Sequence, residues 1–408
     1  MGRLGEALRY LDYGVKWVMN VTDVGHLVAD SDSGEDKMEV GSKREGLSAW
    51  EIAKKYENEF FDNFKNLNIL RPDIVCRATE HIKEQIELLK KMEVNGFIYR
   101  ISDGIYFDTS KFFGYGDFAN LDMEKIREGA RVGVNSEKKN PSDFALWKFS
   151  PTDGTKRQME WDSPWGRGFP GWHLECTAMS TKYLGETFDI HTGGIDHISI
   201  HHTNEIAQGF GAFGHQTANY WMHNAFITFG GTKISKSSGG LTLNDLIKKG
   251  FDPIAYRYMV LTSHYRKALE FSEKNLENVA TAYLKLKEVV MGDVGEVNQE
   301  YRQKFIDFLV DDLAMPEVLA LIWKLVKDSK IKDEDKRATI LDFDLVLGLK
   351  LEEFKEEAIP DEVRNLAKDR EKARRAKNWD EADRLRQEIK KWGFAVEDRE
   401  KGGKIKRR

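Results

Sequence analysis

The chain has 408 residues, of which 40% are hydrophobic and 32% charged, and its formal net charge is -5. No apolar run in the sequence approaches the length that a bilayer-spanning helix needs, and the first residues contain no apolar signal core. Two cysteines cannot form a disulfide framework, so the sequence excludes a small secreted scaffold and favours the cytoplasm. Charge is uneven: residues 361–408 contain 17 basic and 11 acidic side chains, which suits either a polyanionic partner or a solvated helical tail.

The N-terminal third alternates between helical and extended patterns. The spacing of apolar residues predicts helices over residues 4–11, 48–67 and 79–91, and a first strand over residues 15–18. A polar segment punctuated by glycine and serine predicts an exposed loop over residues 30–45. Short β-like segments follow at residues 96–100 and 104–108, and the polar stretch that continues to Asn140 is typical of an insertion.

The middle of the chain returns to alternating strands and helices. Strands are predicted at residues 144–149, 187–191 and 220–228, with helices between them, which indicates a doubly wound parallel α/β sheet. Thr242 and Asp245 can cap a helix that Gly250 ends. Beyond Pro253 the whole pattern is helical, first as a bundle and then, after Pro360, as a small unit with one apolar face formed by Ala382, Leu385 and Ile389.

A basic pentapeptide follows the predicted strand over residues 220–228. Residues 233–237 read Lys-Ile-Ser-Lys-Ser between glycine pairs, and lysines with hydroxyls on such a loop suit a triphosphate, although an exposed basic turn has the same composition. The segment resembles the Lys-Met-Ser-Lys-Ser signature of class I aminoacyl-tRNA synthetases, with Ile234 in place of methionine. The resemblance implies that ATP, carried with magnesium, binds Lys233, Ser235, Lys236 and Ser237, and that Lys233 and Lys236 stabilise the pyrophosphate leaving group.

Most of the ten histidines lie in one short stretch, which favours a metal or phosphate site over scattered core positions. The clustered residues are His173, His191, His197, His201, His202, His215 and His223. His201 and Glu205 are four residues apart, hence on one helix face, and Cys176 offers a thiolate from another segment, a donor set that suits zinc. The alternative is a helix-surface ion pair beside a cysteine of the core.

Three ordered motifs surround these residues. Residues 171–179 (Gly-Trp-His-Leu-Glu-Cys-Thr-Ala-Met), residues 189–196 (Asp-Ile-His-Thr-Gly-Gly-Ile-Asp) and residues 201–208 (His-His-Thr-Asn-Glu-Ile-Ala-Gln) resemble segments of cysteinyl-tRNA synthetases, from which Thr203 departs. The resemblance implies zinc held by Cys176, His201 and Glu205, and a metal that binds the substrate thiolate and so rejects serine. It also implies a cysteine and adenylate pocket lined by Thr22, Trp172, His173, Gly193, Gly194 and Asp196.

Two elements of that family have no match in the sequence. The His-x-Gly-His nucleotide signature and the zinc-ligating cysteine before it are both missing. Residues 23–26 (Asp-Val-Gly-His) imitate the signature without its first histidine and instead resemble the end of a later strand. Cys76 lies in a segment where the resemblance gives cysteine no metal role. The expectation is therefore a synthetase whose first strand lies upstream of Met1 and whose activity is impaired.

The predicted organisation follows the class I architecture with the first strand missing. Residues 1–98 and 141–240 would form the Rossmann-like catalytic domain, 99–140 the insertion, 241–272 the phosphate-loop and stem-contact region, 273–358 the helical bundle, and 359–408 a C-terminal anticodon-type unit with Trp379 and Trp392 near the tRNA. The expected partners of a monomeric enzyme are zinc, ATP, L-cysteine and the cysteine tRNA. Two alternatives remain open: a cysteine ligase with an amine acceptor, and a non-catalytic tRNA-binding fragment.

Overall fold

The computed structural model describes residues 2–25, 37–122, 135–151, 157–233, 241–353, 360–397 and 404–407. These residues form two compact units, Met1–Leu351 and Glu352–Arg408. The finer division of the first unit into catalytic domain, insertion and bundle stays a prediction. Among the described residues no helix combines the length and the apolar composition needed to cross a membrane.

The N-terminal part of the first unit contains four helices and one parallel strand pair. Its elements are α1 (Gly2–Tyr10), β1 (Val18–Val21), α2 (Lys37–Glu45), α3 (Ala49–Asn66), β2 (Ile74–Arg77) and α4 (Ile82–Val94). Strands β1 and β2 pair in parallel, with Val18 opposite Ile74. The predicted loop over residues 30–45 is wrong for its second half, because α2 is a helix; residues 30–36 lie outside the described residues.

A second sheet is antiparallel throughout. It contains β3 (Ile98–Ile101), β4 (Gly104–Phe107), β5 (Phe144–Phe149) and β6 (Gly168–Pro170), in that order. The predicted bounds of β5 are correct, but its expected place in a parallel sheet is wrong, since β5 pairs antiparallel with both β4 and β6. Parallel neighbours need a crossover connection, usually a helix, whereas antiparallel neighbours such as β3 and β4 can be joined by a short turn.

The site-bearing part contains a second parallel pair flanked by two helices. Its elements are α5 (Trp172–Leu184), β7 (Phe188–Gly194), α6 (Thr203–Phe213) and β8 (Ala218–Asn224). Strands β7 and β8 run parallel from Phe188 opposite Ala218 to Gly194 opposite Asn224. Helix α6 is the crossover between them, which is the arrangement expected for a parallel α/β unit.

The predicted strand over residues 220–228 is in fact two strands, β8 and β9 (Ile227–Phe229). Between them Ala225 donates its backbone N–H to the carbonyl of Tyr265 at 2.8 Å, so the chain leaves the β7–β8 pair and joins another sheet. That sheet has the order β10–β9–β11, where β10 is Thr232–Lys233 and β11 is Leu269–Glu270. Helix α7 (Leu243–Lys248) follows, with the predicted cap at Thr242 and Asp245 present.

A helical bundle completes the first unit. It consists of α8 (Pro253–Leu261), α9 (Glu273–Val289), α10 (Gln299–Val310), α11 (Met315–Lys327) and α12 (Asp333–Leu347), around an apolar core that includes Phe305 and Phe343 stacked at 4.1 Å. Arg257 of α8 is buried and ties the bundle to α1. Its guanidinium donates to the Leu347 carbonyl at 2.6 Å and to the Glu6 carboxylate at 2.8 Å. The prediction of helix alone beyond Pro253 is wrong at β11 and again at the strands Phe394–Glu397 and Lys404–Arg407 of the second unit.

The second unit packs two helices on a hairpin. Its elements are α13 (Asp361–Arg375), α14 (Trp379–Lys391), β12 (Phe394–Glu397) and β13 (Lys404–Arg407), the two strands being antiparallel. The predicted apolar face is confirmed, since Ala382, Leu385 and Ile389 are buried. Trp379 and Trp392 are 58% and 51% exposed, so neither forms the core of this unit.

Candidate active site

Strands β7 and β8 end together at a cleft of about 290 Å³. Thr192 and Gly193 line it from β7, and His223 and Asn224 from β8. The opposite wall is the segment that follows α8, including Tyr265. Ligands of parallel α/β folds bind at the carboxyl ends of the strands, so this edge is where a substrate is expected.

Cys176, His201 and Glu205 meet beside this edge. Cys176 lies in α5, His201 in the short π-helix Ile198–His202, and Glu205 in the first turn of α6, and all three are buried. The His201 Nε2 atom lies 3.0 Å from Glu205 Oε1, and the possible ligand atoms of the three residues lie within 4.8 Å of one another. The structure therefore brings together the three residues that were predicted as metal ligands.

The charges of this cluster suit a cation. Burial raises the pKa of the Cys176 thiol well above its ordinary value, and the neighbouring carboxyl groups of Glu205 and Glu175 raise it further. Burial would also raise the pKa of Glu205, but His191 and His201 outweigh it and hold this pKa well below its usual range. A divalent cation would offset the unfavourable burial of thiolate and carboxylate together, because it is the largest local charge available.

The donor chemistry and spacing fit zinc. Tetrahedral zinc with S and N ligands places its donor atoms roughly 3.3–3.6 Å apart, which small side-chain movements reach from the observed spacing. Sulfur, imidazole nitrogen and carboxylate oxygen are zinc donors, whereas magnesium and calcium prefer oxygen alone. The side chain of Asn20 donates to Cys176 Sγ at 3.3 Å and so orients it.

A second histidine cluster, absent from the sequence-based site, uses the same carboxylate. His191 and His202 lie close enough to Glu205 to hold a metal with it, and His191 Nε2 is 3.3 Å from Glu205 Oε1. Burial lowers the pKa of His202 to about 2, so its ring is neutral, and its Nδ1 lies 2.7 Å from His223 Nε2. The clustering of histidines in the sequence included His191 and His202, but the sequence did not predict that they lie beside Glu205.

Three of the predicted pocket residues lie next to the triad of Cys176, His201 and Glu205. The Trp172 ring lies 4.2 Å from the His201 ring, and the Nδ1 atoms of His173 and His201 are 2.7 Å apart. Thr22 accepts a hydrogen bond of 3.4 Å from Asn20, the residue that also contacts Cys176. These predicted residues therefore surround the triad.

The two glycines and the aspartate of the predicted pocket lie at the end of β7. A Cβ atom on Gly193 would lie 2.6 Å from His202 Cε1, so the backbone here packs directly on the imidazole. A Cβ atom on Gly194 would lie 2.4 Å from Asp196 Oδ1, and Asp196 itself is exposed. The close approach of the backbone to the imidazoles explains the glycine at position 193, whereas the exposed Asp196 side chain could move away from a Cβ atom at position 194.

Only the base of the predicted phosphate loop can be described. Lys233 ends β10, whose partner is β9, while Ser235, Lys236 and Ser237 lie outside the described residues. The carboxylate of Glu270 holds the hairpin by accepting from the Thr228 hydroxyl at 2.5 Å and from the Gly231 N–H at 3.3 Å. The loop therefore begins from a fixed hairpin near the cleft.

The residues that imitate missing elements have structural roles. The Asp23 carboxylate accepts from the Thr79 backbone N–H at 2.9 Å and from its hydroxyl at 2.6 Å, while His26 lies outside the described residues. Cys76 is buried beside Val24 and Met179, and burial raises the pKa of its thiol to about 11. A neutral thiol in an apolar cluster is a packing residue rather than a metal ligand.

Comparisons with known proteins agree with this geometry. Residues 3–281 match the family described as class I (C) tRNA synthetase catalytic domains, and residues 356–404 match the anticodon-binding domain of cysteinyl-tRNA ligases. Cysteine--tRNA ligase 1 of Burkholderia lata is 49% identical over 399 residues, covering 96% of this chain and 84% of that protein. Cysteine--tRNA ligase of Treponema denticola is 42% identical, covering 97% of this chain and 88% of that protein.

The fold is shared with a more distant synthetase. Methionyl-tRNA synthetase of Mycobacterium tuberculosis, solved with methionyl-adenylate, matches with a TM-score of 0.55 at 15% identity, covering 85% of this chain and 86% of that one. This likeness confirms the predicted class I architecture. Since the catalytic-domain match spans more than half of the sequence and the relatives cover nearly all of it, the chain belongs to the cysteine--tRNA ligases, a family of class I aminoacyl-tRNA synthetases.

Proposed function

We propose that this chain activates L-cysteine with ATP to cysteinyl adenylate and transfers the cysteinyl group to the cysteine tRNA. The observation that carries the proposal is the buried triad of Cys176, His201 and Glu205 beside the carboxyl ends of β7 and β8. A donor set selective for a thiolate-binding metal, placed at the ligand edge of a class I fold, suits cysteine as the amino-acid substrate.

We infer that Cys176, His201 and Glu205 hold zinc. When bound, zinc would supply a ligand position that prefers the thiolate of cysteine to the hydroxyl of serine. The protein's own residues then shape the pocket: the Trp172 ring covers one side of His201 and excludes water from it, and His173 fixes the orientation of the same imidazole. Asn20 and Thr22 complete the wall next to Cys176.

The chemistry at ATP requires charge stabilisation and positioning. The cysteine carboxylate attacks the α-phosphate, and pyrophosphate leaves with magnesium. Lys233 and Lys236, with Ser235 and Ser237, would hold the leaving phosphates from the loop that starts at the end of β10. No protein nucleophile is needed, because orientation and electrostatic stabilisation are the main contributions to such a reaction.

The C-terminal unit supports tRNA as the acceptor. Its net excess of basic residues and its exposed Trp379 and Trp392 suit phosphate contacts and base stacking, and its match to anticodon-binding domains covers residues 356–404. A ligase with a small amine acceptor would have no use for such a unit. Two free, buried cysteines support a cytoplasmic location. We also propose that the enzyme is a monomer.

The test is cysteine-dependent exchange of pyrophosphate into ATP, followed by aminoacylation of the cysteine tRNA, both with the purified chain. We expect exchange with cysteine, at a reduced rate because the sequence has no match to the nucleotide signature, only background with serine, and zinc at one ion per chain by elemental analysis. A chain that binds the cysteine tRNA but shows no exchange would contradict catalysis and favour the tRNA-binding alternative. Transfer to an amino sugar but not to tRNA would favour the amine-acceptor ligase.

A further inference from the structure

The turn between α10 and α11 is held in an unfavourable backbone conformation. Asp312 and Leu313 are consecutive residues with φ of 52° and 56°, in the left-handed region that non-glycine residues rarely occupy. Strained backbone of this kind persists where surrounding contacts enforce it and is concentrated at functional sites. The contacts of Asp312 and the position of Leu313, which lines the cleft, show what the strain achieves.

Asp312 binds three consecutive residues of the opposite cleft wall. Its carboxylate accepts from the Tyr265 hydroxyl at 2.5 Å and from Arg266 in a fork, with Nε at 2.6 Å and Nη2 at 3.1 Å. Its carbonyl oxygen lies 2.9 Å from His264 Nε2. His264 and Tyr265 line the cleft, so one residue of the bundle turn, through its side chain and its backbone carbonyl, fixes the segment that forms the cleft wall.

The same segment continues into the sheet that carries the phosphate loop. The Tyr265 carbonyl accepts from Ala225, the Phe226 carbonyl accepts from Leu269 at 3.0 Å, and β11 then pairs with β9. Strand β9 pairs in turn with β10, where the loop begins. A continuous series of hydrogen bonds thus connects Asp312 with the hairpin at Lys233.

We propose that Asp312 is a positioning residue that sets the ATP-binding geometry of the phosphate-loop hairpin through the 264–266 segment. The expected change in the KM for ATP rests on the proposed function, whereas the expected loosening of the hairpin does not. The strained turn places the Asp312 carboxylate where it accepts hydrogen bonds from both Tyr265 and Arg266. The segment 264–266, held in this way, keeps β11 against β9. ATP, the anionic substrate of the hairpin loop, is the ligand whose binding depends on this order.

The decisive variant is Asp312→Asn. Asparagine adopts the left-handed conformation at least as readily as aspartate, so the turn is retained, while the charge and the fork to Arg266 are lost. The matched control is Asp311→Asn, which removes one charge from the neighbouring exposed position, where φ is negative. Thermal unfolding of both variants should match the parent chain.

We expect the KM for ATP in cysteine-dependent pyrophosphate exchange to rise about tenfold or more in Asp312→Asn, and kcat to fall with it because the same loop holds the leaving phosphates, while the KM for cysteine changes less than about twofold. Hydrogen exchange should show weaker protection of the amides of Gly231 and Lys233 in that variant and no change in Asp311→Asn. Equal protection in both variants would overturn the proposal even if the parent chain showed no exchange activity. A raised KM that comes with a matching loss of thermal stability would reduce Asp312 to a structural residue and overturn it as well.

Discussion

Replacing Gly193 by alanine measures how closely the backbone of β7 packs on the histidine cluster. The added Cβ atom would lie 2.6 Å from His202 Cε1 and 2.7 Å from His197 Nδ1. Favourable contacts between such atoms are about 3.5–4.0 Å, so the overlap is roughly 1 Å. The backbone of Gly193 is outside the left-handed region, hence the cost is steric alone, and overpacking of this kind costs about 1–3 kcal/mol.

Urea unfolding monitored by circular dichroism gives the free energy, and pyrophosphate exchange gives the KM for cysteine. We expect the free energy of unfolding to fall by about 1–3 kcal/mol and the KM to rise, because a displaced His202 loses its 2.7 Å contact with His223. Gly5→Ala is the control, since its new methyl group meets nothing nearer than Arg9 Nη1 at 3.8 Å. That helical substitution should add about 0.5–1 kcal/mol. A change below about 0.5 kcal/mol for Gly193→Ala would show that the imidazoles move freely, against the packing argument.

Three further predictions concern the metal ligands, the buried ion pair of Arg257 and Glu6, and the pH dependence of the ion pair at Glu45. Cys176→Ser should weaken zinc binding by more than the about 10–100-fold that loss of an outer-shell partner costs, and Cys76→Ser should not; chelator competition measures both. Arg257→Met leaves the buried carboxylate of Glu6 without its guanidinium and should cost about 3–5 kcal/mol in urea unfolding, part of which Glu6→Gln recovers in the double variant. Hydrogen bonds from Lys55 and Arg44 lower the pKa of Glu45 to about 2 from 4.5, so its contribution to stability is present above pH 4.5 and is lost as the pH falls toward 2. The stability difference between Glu45→Gln and the parent should therefore vanish in acid, and a difference that is constant with pH would contradict the ion pair.

Features encoded by neighbouring residues could be predicted from the sequence. The capping box of Ser48 and Glu51 starts α3, and that of Thr242 and Asp245 starts α7, because a cap needs only residues within one turn. Helix α2 depends on a distant residue instead: the Glu39 carboxylate accepts from the backbone N–H of Gln158 at 2.9 Å. The polar composition of residues 37–45 by itself is typical of a loop, and the contact with Gln158 cannot be predicted from these residues alone.

The site shows the same division between local and distant information. The motifs that contain Cys176, His201 and Glu205 could be read in order along the chain, and the structure brings these residues together. The place of His191 beside Glu205 could not be read, because it depends on how β7 lies against α6. The break in the predicted strand at residues 225–226 likewise needs the carbonyl of Tyr265, which lies 40 residues further along the chain.

The buried Arg257 has a consequence for how the sequence can change over evolution. Gly348 has a φ of 62°, and a Cβ atom there would lie 2.4 Å from Arg257 Nη2. Position 348 therefore tolerates no side chain while arginine occupies position 257, and arginine in turn is needed while Glu6 is buried. We expect the three positions to stay fixed among descendants of this sequence, because a substitution at any one of them alone leaves either a steric clash or an unpaired buried charge.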